Sequence, residues 1–168
     1  SVATFFAELG AEVIKIEPPG SGDVTRSWKL PSEDPYDPIS AYFSSVNFKK
    51  KYLTLDLRNP KDHAVLMQHI STTDILISNF KKGDMEKLNI EDETLRKINP
   101  KLIIGKITGF GEQIDRIAYD LILQAETGFM SINGEENQGP LKMPVALIDV
   151  LAAHHLKEGI LIAMLSGE

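Results

Sequence analysis

The stretch YLTLDLRNPKDHAVLMQHISTTDILIS, residues 52–78, decides the fold. Its first six residues alternate between apolar and polar side chains, which predicts a β-strand. The dipeptide Asn59-Pro60 is typical of a helix start, and the apolar spacing after it predicts a helix that continues to about Ser71. Residues 74–78 then form a short apolar run typical of a buried strand. A strand, a helix and a strand in this order predict parallel pairing with a right-handed crossover.

The remaining segments continue this alternation of strands and helices. Further strands are predicted at residues 13–17 and 101–107, and helices at residues 1–9, within 82–99, at 119–132 and at 145–165. The order predicts an α/β fold with an open parallel sheet and flanking helices. Ligands of such sheets bind beyond the carboxyl ends of the strands.

Composition excludes several classes of function. The 168 residues are 42% hydrophobic and 25% charged, as in an ordinary globular protein, and the net charge of -6 argues against nucleic acid as a partner. No apolar run is long enough to span a membrane. Because the chain has no Cys, it has no thiolate chemistry, and this fits a reducing, cytoplasmic location. His154, His155 and Glu158 have helical metal-ligand spacing but lack a further ligand, so no metal site is predicted.

The segments that follow the strands are rich in glycine and in basic or aromatic residues, which suits a phosphate-bearing ligand. The basic side chains that could contact phosphate are Arg26, Arg58, Lys81, Lys82, Lys87 and Arg116. The aromatic rings that could stack on a purine are Trp28, Phe80 and Phe110. Each of these could equally be a solvated or packing residue. A complete dinucleotide glycine motif is absent, so the pattern indicates a nucleotide-like ligand and not a conventional NAD site.

Asp149 is an isolated carboxylate at the start of a long apolar helix. Such a residue is either an ordinary helix N-cap or an acid kept in apolar surroundings for chemistry. The positive end of the helix dipole favours its ionised form, and an ionised carboxylate with little water around it is a potential nucleophile. Asp120 also opens a predicted helix and has the same two interpretations. A second carboxylate can tune the first, so the pair is of particular interest.

The ordered series of these segments resembles the family III coenzyme A transferases, which include formyl-CoA and carnitine-CoA transferases and the related α-methylacyl-CoA racemases. The stretches that carry the resemblance are LGAEVIKIE at 9–17, GSGD at 20–23 with Arg26, LDLR at 55–58, residues 74–80, Gly83, Leu88, Asn99-Pro100, TGFG at 108–111, Tyr119-Asp120 and the segment around Asp149. The resemblance implies a Rossmann-like large domain within a two-domain protein whose two chains interlock as a homodimer.

The resemblance also implies roles for individual residues. Asp149 would be the nucleophile that attacks an acyl-CoA thioester to give a mixed anhydride, and Asp120 would be its acidic neighbour. The residues expected to hold CoA are Leu55, Asp56, Leu57, Arg58, Asn79, Phe80, Lys81, Lys87 and Arg116. Coenzyme A would be a cosubstrate, with no tightly bound cofactor, and the second substrate would be a small carboxylic acid. Racemases of this group have His where this chain has Tyr119, which favours a transferase.

Two alternatives to the transferase stay open at this point. One is an acyl-CoA racemase in which Asp149 exchanges an α-proton, and the other is a non-catalytic nucleotide-binding module in which Asp149 caps a helix. The loop of residues 112–118 is shorter than is usual in the family, and Pro18 replaces an Arg of some members. Residues 1–168 are expected to form part of the large domain without the first strand and the second domain. This segment alone is therefore expected to be inactive.

Overall fold

The computed structural model describes residues 1–167 and divides into two compact units, one of Ser1–Thr73 and one that begins at Asp74. The first unit contains helices α1 (Val2–Glu8), α2 (Ala41–Val46) and α3 (Pro60–Ile70), a 3₁₀ turn (Val24–Ser27), and strands β1 (Val13–Glu17) and β2 (Lys50–Thr54). The second unit contains strands β3 (Ile75–Ser78) and β4 (Ile103–Lys106) and helices α4 (Asp84–Lys87), α5 (Asp92–Ile98), α6 (Asp120–Glu126) and α7 (Leu147–Ser166).

In the first unit β1 and β2 pair in parallel, with Lys15 opposite Tyr52. Gly10 has a φ of +99°, a conformation that glycine adopts without strain, and it separates α1 from β1. The side chain of Asn59 accepts a hydrogen bond from the Lys61 amide at 2.9 Å and so caps α3, as the sequence predicts. The apolar core of this unit comprises Val2, Phe6, Ala7, Phe43, Leu55, Leu66 and Ile70.

In the second unit β3 and β4 also pair in parallel, with Ile77 opposite Gly105. Gly105 is needed for close packing of α7 on β4, because a Cβ atom there would lie 3.1 Å from Leu156 Cδ1 and 3.2 Å from Ile160 Cδ1. The apolar core of this unit comprises Ile90, Leu95, Leu102, Ala153 and Ile160. Asp120 and Gln124 are buried polar residues of the same unit.

The parallel α/β class predicted from the sequence is confirmed. Within residues 1–167 the strands form two hydrogen-bonded parallel pairs, β1–β2 and β3–β4. The strand predicted at residues 52–57 lies earlier in the structure, so that Leu55 and the two residues after it follow β2. Helix α2 was not predicted; its cap is Ser40, whose hydroxyl accepts a hydrogen bond from the Phe43 amide at 2.8 Å. No helix of the part that the structure describes combines the length and apolarity needed to cross a bilayer.

Candidate active site

Asp149 lies in the first turn of α7, two residues after the helix begins at Leu147. The N-cap residue is Ala146, so Asp149 is not the cap that one interpretation of the sequence required. Its side chain is exposed, and nothing else in residues 1–167 forms a hydrogen bond or ion pair with its carboxylate. The first turn of α7 therefore carries a solvent-exposed carboxylate with no hydrogen-bond or ion-pair partner in residues 1–167.

The side chain that caps α7 is Asp120, which belongs to α6. Asp120 is only 7% exposed, and its Oδ1 accepts hydrogen bonds from the Ile148 amide at 2.8 Å and the Asp149 amide at 3.4 Å. These amides have no acceptor within their own helix, and a carboxylate is the group that the positive end of the helix favours. Asp120 does not cap α6, whose N-cap is the 70% exposed Tyr119.

Gln124 is the residue of this site that the sequence analysis missed. It is fully buried, and its side-chain amide donates to Asp120 Oδ2 at 2.6 Å and to the Val145 carbonyl at 3.1 Å. Its Oε1 accepts from the Met143 amide at 2.8 Å. The signal in the sequence was a polar residue in the apolar run LILQA, four positions after Asp120 and hence on the same helix face.

The electrostatics of the site act on Asp149. The Asp149 side chain is exposed as a whole, but neighbouring atoms remove part of the water around its carboxyl, and this desolvation raises the pKa of Asp149 above the ordinary value. The nearby negative charge of Asp120 raises it further. A carboxylate with a raised pKa is more basic, and so more nucleophilic, than a free one while it stays ionised near neutral pH. The arrangement therefore suits attack by Asp149 on an electrophilic carbonyl carbon.

A close contact ties this carboxylate pair to the carboxyl end of β4. Gly109 follows β4 by three residues and abuts Ala118, since a Cβ atom at Gly109 would lie 1.7 Å from the Cβ of Ala118. Ala118 precedes Asp120 by two residues, and Asp120 in turn binds the start of α7. The chain just before Asp120 therefore contacts the loop that leaves the carboxyl end of β4, the end at which α/β proteins bind their ligands.

Comparison with known proteins identifies the family of the chain. The sequence model of CoA-transferase family III matches residues 1–168. The chain belongs to this family. One similar protein is the succinate–glutarate CoA-transferase of Agrobacterium fabrum, which is 38% identical over 96% of this chain and 43% of its own length. Another is the formyl-CoA:oxalate CoA-transferase of Rhodopseudomonas palustris, which is 37% identical over 94% of this chain and 37% of its own length. A crystal structure of a CaiB/BaiF family protein from Brucella suis covers 98% of this chain and 44% of its own with a TM-score of 0.90 and 34% identity. The chain thus spans about two fifths of the length of the relatives it matches.

Some of the CoA-contact residues expected in the second unit already have side-chain partners within the protein, and others are exposed. Asn79, Phe80 and Lys81 directly follow β3 and are exposed. Lys87 forms an exposed ion pair with Asp84 at 3.2 Å. Arg116 forms an ion pair with Glu126, with Nη1 3.1 Å from Glu126 Oε2, and its guanidinium carbon lies 4.3 Å from the centre of the Phe110 ring. A ligand phosphate at Arg116 would therefore have to compete with Glu126.

The expected contacts of the first unit lie directly after β2. Leu55 is buried and donates its amide to the Glu17 carbonyl at 3.0 Å, which extends the β1–β2 ladder by one bond. Asp56 accepts hydrogen bonds from the Arg58 amide at 3.1 Å and from Arg58 Nε at 3.2 Å. Leu57 is half-buried, whereas the Arg58 side chain is 82% exposed and can turn toward a ligand.

Arg26, a further candidate for a phosphate contact, is already bound within the protein. Its Nε and Nη2 donate to the two oxygens of buried Glu17 at 2.9 and 3.1 Å, and its guanidinium carbon lies 3.9 Å from the centre of the Phe43 ring. Lys15 bonds the same carboxylate at 3.0 Å. Burial raises the pKa of Glu17, but the hydrogen bonds from Arg26 and Lys15 outweigh it, so the pKa lies below the ordinary value. Arg26 therefore has a structural role.

His155 and Glu158, from the helical spacing noted in the sequence, are both exposed and lie 3.5 Å apart. In residues 1–167 the structure brings together no group of three or more His, Asp or Glu side chains able to hold a metal ion.

Proposed function

We propose that the protein containing this chain transfers coenzyme A between an acyl-CoA thioester and a small carboxylic acid, with Asp149 as a covalent nucleophile. The observation that carries the proposal is the exposed, unpaired carboxylate of Asp149, whose backbone amide donates to the buried carboxylate of Asp120 at 3.4 Å. Family membership supports the same reaction, and the relatives named above are CoA-transferases by name.

The chemistry begins when a carboxylate oxygen of Asp149 attacks the thioester carbonyl carbon of the donor. The carbon–sulfur bond breaks, CoA leaves as its thiolate, and the acyl group is held on Asp149 as a mixed anhydride. The thiolate then attacks the aspartyl carbonyl, releases the donor acid and forms an aspartyl-CoA thioester. The acceptor carboxylate attacks the carbonyl carbon of this thioester, the carbon–sulfur bond breaks, and the CoA thiolate leaves a second mixed anhydride on Asp149. The thiolate then attacks the acceptor's carbonyl carbon in this anhydride, which forms the product thioester and releases Asp149 as its carboxylate.

In this series of reaction steps Asp120 is a fixed anion and does not carry a proton. Both of its oxygens accept hydrogen bonds from N–H groups, and the residue is buried away from solvent. Anhydride and thioester exchange between carboxylates and a thiolate requires no proton transfer, so a fixed anion is compatible with it. A racemase needs a second acid or base to exchange the α-proton, which Asp120 is poorly placed to supply.

The substrates follow from the same reasoning. The residues expected to contact coenzyme A stay a proposal, and coenzyme A would not be tightly bound between turnovers. The acceptor would be a small carboxylic acid, because the names of the relatives include succinate, glutarate and oxalate. We also retain as proposals a homodimer with interlocked chains, a cytoplasmic location, and the position of residues 1–168 within a larger CoA-binding domain; the family resemblance supports all three.

The test uses the complete polypeptide with Asp149→Asn and, as a matched control, Glu136→Gln, which removes an exposed carboxylate of the same unit. The Asp149 variant should retain CoA binding and lose transfer by at least about 10³-fold, since the nucleophile is gone. Incubation of the parent protein with acyl-CoA and hydroxylamine should modify Asp149, as detected by peptide mass spectrometry. Normal transfer by the Asp149 variant would refute the mechanism, and deuterium incorporation at the α-carbon without any adduct would indicate a racemase.

A further inference from the structure

The side-chain amide of Gln124 binds three groups in two segments of the second unit. It binds Asp120 on its own helix, the Met143 amide at 2.8 Å and the Val145 carbonyl at 3.1 Å, and it has no exposed surface. Residues 143–145 lead directly into α7. One buried amide thus joins α6 to the segment from which the helix of Asp149 begins.

The network fixes the orientation of this amide. The Met143 N–H is a donor only, so the Gln124 oxygen must face it, and the Val145 carbonyl is an acceptor only, so the nitrogen must face that side. The same nitrogen is then directed at Asp120 Oδ2, at 2.6 Å. Asp120 is left with N–H donors at both oxygens, two from α7 and one from Gln124.

We propose that Gln124 is a positioning residue: its buried amide holds Asp120 as a pure hydrogen-bond acceptor beneath the first turn of α7 and thereby sets the position of Asp149. The inference rests on the proposed function, because its consequence for catalysis requires Asp149 to be the nucleophile. Gln124 does not touch substrate, since it has no exposed surface.

Three ionisable groups lie around this amide. They are Asp120 on α6, Asp149 on α7, and Lys142, whose ammonium donates to the Met143 carbonyl at 2.8 Å. A glutamate at position 124 would place a second carboxylate against Asp120, and two carboxylates at this distance share a proton at low pH. The shared proton would restore a hydrogen bond to Asp120 Oδ2 at the position from which the Gln124 nitrogen donates. The ionised pair would repel and displace Asp120.

The experiment compares Gln124→Met, Gln124→Glu and the control Gln138→Met in the complete polypeptide. Gln138 is an exposed residue of the same unit. Gln124→Met should lower kcat by about 10- to 100-fold with KM for acyl-CoA within about threefold, because a displaced nucleophile affects the reaction more than binding. Gln124→Glu should be similarly impaired near pH 8 and recover at least about fivefold relative to the parent near pH 5, as the shared proton forms. Gln138→Met should match the parent throughout.

Recovery of Gln124→Glu at low pH is the decisive result, since a residue that only fills space would not produce it. Should Gln124→Met fail to fold, the pH dependence of Gln124→Glu and the hydrogen exchange of the Ile148 amide, expected to be faster in that variant at high pH, still decide the matter. Parent-like kcat in both variants, or impairment of Gln124→Glu that does not change with pH, would overturn the inference. Either result is distinct from failure of the proposed function, in which Asp149→Asn itself retains transfer.

Discussion

Gly109→Ala tests the contact that holds the carboxylate pair at the end of β4. The new Cβ atom would lie 1.7 Å from the Cβ of Ala118 and 3.3 Å from its Cα. Non-bonded carbon atoms need about 3.5–4.0 Å, so the two loop segments must separate by about 2 Å. Overpacking of this kind lowers the free energy of unfolding by about 1–3 kcal/mol, and we expect the upper end because backbone atoms stand on both sides.

The activity should fall more than the stability suggests. Ala118 is two residues from Asp120, so even half of the required movement would shift Asp120 and the start of α7 by about 1 Å, enough to cost about 10²-fold in transfer rate. The assays are urea unfolding and CoA transfer with the complete polypeptide. Gly159→Ala is the matched control: Gly159 lies inside α7 with nothing within 4 Å of the new Cβ, so this change should stabilise the protein by about 0.5–1 kcal/mol.

Removal of the opposing methyl group makes the test specific. In the double variant Gly109→Ala, Ala118→Gly the 1.7 Å contact no longer exists, and stability and activity should return most of the way to those of the parent. Parent-like behaviour of Gly109→Ala alone would show that residues 109 and 118 do not meet. An impaired double variant would show that the contact is not the cause of the loss.

Two further predictions concern the charged cluster after β1. Burial raises the pKa of Asp23, but hydrogen bonds from Lys15 and Thr25 lower it to about 2 from an ordinary 3.8. The Asp23 carboxyl therefore binds a proton more weakly in the folded chain than in the unfolded chain. Its contribution to the free energy of unfolding, about 2 kcal/mol, is present above pH 3.8 and is lost as the pH falls toward 2. In urea unfolding across this range Asp23→Asn should lack that loss, and a pH profile like that of the parent would contradict the reasoning. Arg26→Met should destabilise the protein by about 3 kcal/mol, because buried Glu17 then keeps Lys15 as its only cation, with the Asp23 amide as its other partner. Adding Glu17→Gln to this variant should recover part of the loss in thermal unfolding.

Local signals account for the parts of the fold that the sequence predicted. The β1 strand and the Asn59 cap of α3 depend on residues next to one another, and both are confirmed. Helix α2 depends on a distant contact as well as on its cap, since the Ser40 hydroxyl also donates to the Thr25 carbonyl at 2.7 Å. The paired strands likewise join residues far apart in the sequence. A pattern within a short window cannot specify such contacts.

The candidate site shows the same division. Asp149 and Asp120 are carboxylates in apolar surroundings, which a sequence displays directly, and both could be named as a pair. Which of them caps a helix could not be predicted, because Asp120 caps a helix 28 residues away in the chain. Of the two interpretations open for each Asp, the one in which it caps its own helix is wrong. Gln124 was missed because its importance lies in the Met143 and Val145 backbone groups that it joins.

Two electrostatic effects act on the pKa of Asp149 in opposite directions: the dipole of α7 lowers it and the charge of Asp120 raises it. Their balance gives the second carboxylate a role in the site. An aspartate in the first turn of a helix is stabilised as an anion by the helix dipole, which by itself would lower its pKa and make it a weak nucleophile. Asp120 occupies the first free amides of α7 and adds a negative charge nearby, so it offsets that effect, and the pKa of Asp149 is raised by partial burial and by Asp120 together. The helix start thus keeps its rigid geometry without making the carboxylate too stable to react.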